Sequence, residues 1–203
     1  MIEILDKKNT IDVNLFINGL NLAFKERCNE QIPYEAVSKD EILASGDSLF
    51  VFCYRDGENI IGGLCLKKEL EYSNIATGKI FHVWSHPNYR GKGIARQLME
   101  YAEMFAKNNS IDLLQLNVAN IYKPAVNLYK RCGYKKLMIY ANEPKTYYFI
   151  RMFKQIKPGT LSKLFILKSR IKSYCTFHSF FKNDSTPRLI GKLVFRFIKN
   201  KED

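Results

Sequence analysis

The chain has 203 residues, 46% of them apolar and 13% aromatic, and its 32 Lys and Arg against 20 Asp and Glu give a formal net charge of +12. That apolar content is enough to bury a real core, which excludes disorder throughout, and the length fits one domain with an appendage better than two full domains. The longest apolar runs, such as residues 164–167, fall far short of the roughly 20 residues that span a bilayer, and the N-terminus lacks the order of a secretory signal, so the chain is expected in the cytoplasm.

In chain order, residues 2–5 read as a short strand. Asp12 is placed to cap a helix whose Phe16, Leu20, Ala23 and Phe24 share one face. Ser38-Lys39-Asp40-Glu41 has the capping-box form and starts a second helix through Ile42 and Leu43. Strands follow over 48–54 and 60–66, joined by 55–59, whose Asp56-Gly57 pair is a hairpin signal. A third strand of this group covers 79–85 and ends at His86-Pro87-Asn88. From Gly93 onward, Ile94, Leu98, Tyr101, Ala102 and Phe105 recur at helical spacing up to Asn108-Asn109. Residues 113–118 form a strand, and Pro124 opens a helix with Ala125, Leu128, Tyr129 and Cys132 on one face and Gly133 at its stop. Strands over 134–140 and 146–153, joined by 141–145, close the series. The order β-α-α-β-β-β-α-β-α-β-β is that of a mixed α/β sheet in one domain.

The charge is unevenly spread. Residues 1–153 hold 20 basic and 17 acidic side chains, a net of +3, whereas residues 154–203 hold 12 and 3, a net of +9. This break, marked by Lys157-Pro158-Gly159, divides the chain into a domain over 1–153 and a basic C-terminal extension over 154–203. In the extension, Leu164, Leu167, Ile171, Tyr174 and His178 fall on one helical face, and Arg188, Lys192, Arg196 and Lys199 recur opposite Leu189, Ile190, Leu193, Val194, Phe197 and Ile198. Three readings fit such basic amphipathic segments: a helix packed on the parent domain with a solvated rim, attachment of 160–199 to an anionic membrane surface, or contact with nucleic acid. The five cysteines, at 28, 53, 65, 132 and 175, are odd in number and never spaced as CxxC, so neither a disulfide framework nor a metal site is expected.

The informative chemistry lies between strand and helix at residues 80–98. Arg90-Gly91-Lys92-Gly93 stands immediately before a helix, where two glycines let the backbone turn tightly and a ligand approach the main chain. Unpaired N–H groups at the helix start, with its positive dipole end, suit a pyrophosphate, and Arg90 and Lys92 add cationic attraction. An ordinary strand-to-helix turn with solvated basic neighbours is the plainer reading of the same residues. Neither GxGxxG nor a P-loop is complete here.

This segment resembles motif A of the GNAT-type N-acetyltransferase superfamily, whose [RQ]-x-x-G-x-[GA] signature matches as Arg90-Gly91-Lys92-Gly93-Ile94-Ala95 after a strand-His-Pro-x-Tyr lead-in. A second stretch, Ala125 through Leu128-Tyr129 to Gly133-Tyr134, looks like that family's A-x-x-L-Y-x-x-x-G-[FY] segment. The resemblance covers about residues 1–153 and implies the GNAT acyl-CoA N-acyltransferase fold, a mixed, mostly antiparallel sheet flanked by helices. It also implies acetyl-CoA as cosubstrate and no metal. The thioester would lie in a splay between the strand ending at Ser85 and the strand ending at Val118, with the pyrophosphate on main-chain N–H groups from Arg90 through Ala95 and main-chain groups of Val83 and Ser85 on the pantetheine and acetyl carbonyl.

The implied reaction is direct attack of a substrate amine on the thioester, which needs a base for the ammonium and an acid for the leaving thiolate. Tyr129 matches the family's general-acid tyrosine; a phenol of unperturbed pKa near 10 can donate to a thiolate of roughly 8–9. A buried aromatic on a helix face is the plainer reading of its spacing. The position where many GNAT enzymes place a carboxylate or His to act as the base is Phe81, which cannot take a proton. His82 is the nearest candidate base, although strand alternation turns it away from the face that Phe81 presents, His86 belongs to the lead-in turn, and an ordered water chain, used by other enzymes of the family, is the remaining route for the proton. Tyr122 stands where the family commonly has a pantetheine-contacting Asn, and Asn120 is the nearest substitute. The acceptor expected is a primary amine of a small-molecule or carbohydrate-linked compound. An aminoacyl-tRNA-acetylating enzyme of the same fold, or a non-catalytic CoA-binding module, stands as the alternative. Glu30, Tyr34 and Tyr147 fall in the variable parts that build acceptor pockets, and a homodimer and a peripheral position at the inner membrane surface are further expectations.

Overall fold

A computed structural model describes residues 1–26, 37–43, 46–71, 75–141, 147–161 and 165–171. The pocket segment at 27–36 with Glu30 and Tyr34, Thr146 at the expected strand start, and the basic helix expected over 188–199 lie outside the described residues.

The element order follows the sequence pattern. Strand β1 (Ile2–Ile4) leads to helix α1 (Thr10–Lys25) and the short helix α2 (Lys39–Leu43). Strands β2 (Leu49–Asp56), β3 (Asn59–Glu71) and β4 (Ile75–Ser85) follow, then a single 3₁₀ turn over Pro87–Tyr89 and helix α3 (Ile94–Asn108). Strand β5 (Leu113–Ala119), helix α4 (Lys123–Arg131) and strands β6 (Lys135–Ala141) and β7 (Tyr148–Gln155) complete the series. Asp56 pairs with Asn59 across the expected hairpin turn. β3 and β4 run several residues longer than expected, pairing from Lys67↔Lys79 out to Glu71↔Ile75, and Lys79 of β4 bridges Glu69 and Glu71 in the added end of β3.

Helix α1 begins earlier than expected. Asn9, not Asp12, is its N-cap: the Asn9 side-chain oxygen accepts from the N–H groups of Ile11 at 3.1 Å and Asp12 at 3.3 Å. Asp12 sits inside the first turn, where its carboxylate favours the positive end of the helix and pairs with Arg55 at 2.6 Å. Helix α4 stops as its Gly133 predicts, in a Schellman arrangement: Tyr134 N–H donates to the Tyr129 carbonyl and Gly133 N–H to that of Lys130, both at 3.0 Å. That stop folds Tyr134 back against Tyr129, with ring centroids 6.3 Å apart.

The strands form one seven-stranded sheet in the order β1-β2-β3-β4-β5-β7-β6. Only β4 and β5 run parallel; the other neighbours are antiparallel. One face packs against α3 and α4 through Leu64, Leu66, Ile80, Leu116 and Met152 with Leu98, Met99, Ala102 and Val126. The other packs against α1 and α2 through Val51, Cys53, Cys65 and Trp84 with Phe16, Leu20, Ala23 and Ile42. The start of the extension is built into this body: Leu161 is buried with Leu113, Leu137 and Phe153, and Phe165 and Ile166 pack on the same cluster. Among the described residues no helix is long and apolar enough to cross a membrane.

Gly63 of β3 shows how tightly the α1 face is filled. A Cβ there would overlap the Phe16 ring and stand 2.8 Å from the Phe52 carbonyl oxygen, which is backbone and cannot step aside. Overpacking a core usually costs about 1–3 kcal/mol. Gly63→Ala is therefore expected to lower stability by about 3 kcal/mol, read as a fall in the urea midpoint at unchanged slope.

Candidate active site

Two departures from regular sheet create the site. The first is a parting of β4 from β5. Their parallel pairing runs from Thr77↔Leu113 to Ile80↔Leu116 and stops there, whereas β4 keeps pairing with β3 as far as Gly62↔Ser85 and β5 with β7 as far as Ala119↔Phe149. Phe81–Ser85 and Asn117–Ala119 thus diverge, the splay expected from the resemblance.

The second is a β-bulge in β4. Gly63 pairs with Trp84 and Cys65 with Phe81, so one extra residue of β4 lies between those two pairs. His82 takes the strain with φ at 50°, uncommon for a residue other than glycine. The bulge corrects the argument from alternation: the His82 ring lies 4.8 Å from that of Phe81 and 5.8 Å from that of Phe24 on α1, so Phe81 and His82 face the same side. Val83 then turns to the α3 side, and Trp84 returns to the α1 side.

On the α3 side, two clefts of about 490 and 320 Å³ share Ser85, Ala95 and Leu128 and form one trough. The larger follows the turn into α3, past Tyr89, Gly91, Gly93, Ile94, Ala95 and Arg96 to Arg131. The smaller continues along Val83 and Ser85 to Tyr122 and Tyr129. Gly93 is the N-cap of α3 with φ at 80°, no side chain caps this helix, and no acidic residue occupies its first turn. Its first N–H groups therefore open onto the trough with the positive end of the helix behind them. This donor set, with Arg96 and Arg131 beside it, fits the pyrophosphate of a CoA-type cosubstrate.

The structure gathers Val83, Ser85, Arg90, Gly91, Gly93, Ile94, Ala95 and Tyr129 around the trough. Tyr129 is buried, at 7% exposure, in the last turn of α4. Arg90 is tied to Glu26 just after α1 at 2.8 Å, so it braces the loop as well as lining the cleft. Lys92 lies over the Tyr89 ring, 4.6 Å from its centroid. His86 organises the lead-in turn, its Nδ1 accepting from Asn88 N–H at 3.3 Å. His82 is on the opposite face of the sheet from the trough. Asn120 does not line it either: its side-chain oxygen accepts from Tyr148 N–H and its N–H donates to the Tyr148 carbonyl, both at 2.9 Å. Tyr122 lines the trough in its stead. Arg96 and Arg131 also line the trough and were missed from sequence; Arg131 carries a weak signal, one helical turn after the motif's Leu128.

Two of the described cysteines are inert by position. Cys53 and Cys65 are fully buried, and burial pushes the Cys53 thiol up to about 12, with nearby Glu3 adding to the effect, and the Cys65 thiol higher still. Among the described residues no group of His, Cys, Asp or Glu could hold a metal ion.

On the α1 face, beyond the parting, charged residues form a ladder across β3 and β4. Lys79 pairs with Glu69 at 2.6 Å and Glu71 at 2.7 Å, and Lys67 pairs with Glu69 at 3.1 Å. The Lys79 and Lys67 bonds hold the Glu69 carboxyl below its ordinary value. A carboxylate depressed on folding stabilises fully above its unfolded pKa and loses that contribution as pH falls through the folded value. Urea midpoints at pH 6 and pH 3 should therefore differ less for Glu69→Gln than for the parent protein.

The profile of the Acetyltransferase (GNAT) family matches residues 17–134, from within α1 to the end of the α4 stop. A streptothricin acetyltransferase of Escherichia coli is 30% identical over 138 residues, 65% of this chain and 74% of that protein. One of Streptomyces lavendulae is 44% identical over 48 residues, spanning 24% of this chain and 25% of that protein. The solved structure of an aminoglycoside 6'-N-acetyltransferase complexed with coenzyme A has a TM-score of 0.61 at 16% identity, covering 78% of this chain and 98% of that one. The parted sheet, the glycine turn into α3 and the α4 tyrosine all fall within the matched residues, and the chain belongs to the GNAT acetyltransferase family, a family of acyl-transferring enzymes.

Proposed function

We propose that this protein transfers the acetyl group of acetyl-CoA to a primary amine of a small-molecule acceptor by direct attack. One observation carries the reading: a single trough runs from the uncapped start of α3 along the end of β4 that has parted from β5 to the buried Tyr129. The α3 N–H groups hold the pyrophosphate, and the main chain of Val83 and Ser85 lies along the pantetheine. The amine nitrogen bonds to the acetyl carbon, the carbon–sulfur bond breaks, and Tyr129 gives its hydroxyl proton to the departing thiolate. His82, carried by the bulge on the α1 face, takes the proton that the ammonium must lose.

The curated relatives acetylate streptothricin, so this compound heads the acceptors to try, followed by aminoglycosides and amino sugars. Incubating the full chain with acetyl-CoA and each amine should release free thiol with at least one of them. Saturable CoA binding in calorimetry with no thiol release from any amine would instead support a non-catalytic CoA-binding module.

A further inference from the structure

The α1 side of the β4/β5 parting holds a cavity of about 260 Å³ whose walls include Phe81, Asn117, Gln115 and three cations, Lys67, Lys79 and Arg151. These residues come from four strands and meet only through register. Lys67 pairs with Lys79, Lys79 with Gln115, and Asn117 with Arg151. Cys65 and Phe81, each two residues along from a lysine, pack against α1, which fixes the face on which the whole set stands.

The cations are not equivalent. Lys67 and Lys79 are neutralised by Glu69 and Glu71, and Glu71 is further occupied by the Gln115 amide. Arg151 has no carboxylate within ion-pair distance among the described residues. Its Nε donates to the Asn117 side-chain oxygen at 3.2 Å, and its guanidinium carbon lies 5.9 Å from the Tyr140 ring centroid. The guanidinium is therefore held in place by a neutral amide and by the Tyr140 side chain, with which it also shares a hydrogen bond, and no carboxylate among the described residues balances its charge. Three cations and two carboxylates make the described wall of this cavity net positive. Such a wall attracts an anion, and a planar guanidinium suits the two oxygens of a carboxylate or phosphate.

We propose that this cavity selects the acceptor by an anionic group, a carboxylate or a phosphate, bound by Arg151, with Asn117 as the residue that positions the guanidinium. The assignment rests on the acetyl-transfer reading above and deepens it: the amine would enter the parting while the anion of the same molecule sits on Arg151.

Thiol release from acetyl-CoA tests this with paired amines that differ by one anionic group: β-alanine against propylamine, phosphoethanolamine against ethanolamine, and glucosamine 6-phosphate against glucosamine. The anionic member of at least one pair should show kcat/KM about tenfold or more above its partner, the scale of a charge-assisted hydrogen bond. Preference in the first pair identifies a carboxylate, and preference in the other two a phosphate. Arg151→Gln should bring the ratio close to one, chiefly through KM of the anionic member, and Arg151→Lys should retain part of it. Ratios near one in the parent protein, or the same ratio in Arg151→Gln, overturn the assignment and leave acetyl transfer standing. Thiol release from no member of any pair overturns acetyl transfer to such amines, and this assignment with it.

Discussion

Tyr129→Phe should lower kcat by about 10²-fold or more, within the usual range for a lost general acid, while leaving acetyl-CoA affinity nearly unchanged. The substitution removes one hydroxyl and keeps the ring. That ring is what packs: Tyr129 is 7% exposed, belongs to the cluster beneath α3 and α4, and stands beside Tyr134 at the Schellman stop. The fold and the pyrophosphate end of the trough should therefore survive, and a loss confined to kcat would locate the fault at proton transfer. Tyr134→Phe is the matched control. The Tyr134 hydroxyl is buried without a hydrogen-bond partner, and burial with the nearby Glu103 carboxylate pushes its pKa well above the ordinary phenol value. Removing an unsatisfied buried hydroxyl costs no bond, so the control should keep both turnover and melting temperature. Saturating steady-state kinetics and calorimetric titration of CoA decide the matter, and an unchanged kcat in Tyr129→Phe would remove Tyr129 from the mechanism.

Much of the fold was legible because each element carries its own local signal. The apolar spacing of α3, the Asp56-Gly57 turn and the Gly133 stop depend on neighbours in sequence, and each appears where its pattern places it. The misplaced cap of α1 shows the limit of that logic. Asn9 and Asp12 are both good cap residues; Asn9 takes the cap, while the Asp12 carboxylate accepts from the Asn9 side-chain amide and pairs with Arg55 on a distant strand. The bulge was less visible still. Nothing in Phe81-His82-Val83 marks a positive φ, since the extra residue is defined only against the β3 register at Gly63 and Cys65. Strict alternation therefore placed His82 on the wrong face. The cations of the α1-side cavity were hidden for the same reason: Lys67, Lys79 and Arg151 are far apart in sequence and become neighbours through strand pairing. The trough was readable because one short segment supplies most of it, whereas the α1-side cavity is assembled from four strands.

Gly93→Val should weaken CoA binding by about tenfold or more while the protein stays folded. Gly93 adopts φ at 80°, and forcing a side-chain-bearing residue into that region costs about 1–2 kcal/mol, a loss that most domains survive. The added carbons would meet little protein: a Cβ at this position has only the Gln97 amide nitrogen nearby, at 3.8 Å. The space they enter is the trough in front of the first α3 amides, where the pyrophosphate is proposed to lie. Obstruction and strain are separable with Gly91→Ala. Gly91 has a similar φ of 78°, its Cβ would meet nothing within 4 Å, and a single methyl fills far less of the cleft. The alanine variant should therefore lose stability comparably and affinity much less. Gly63→Ala supplies the opposite pattern, a packing fault on the far face that lowers stability and spares the loop. If calorimetry shows Gly93→Val binding CoA as tightly as the parent protein, these amides do not hold the pyrophosphate, and the trough must take its anion at Arg96 or Arg131 instead.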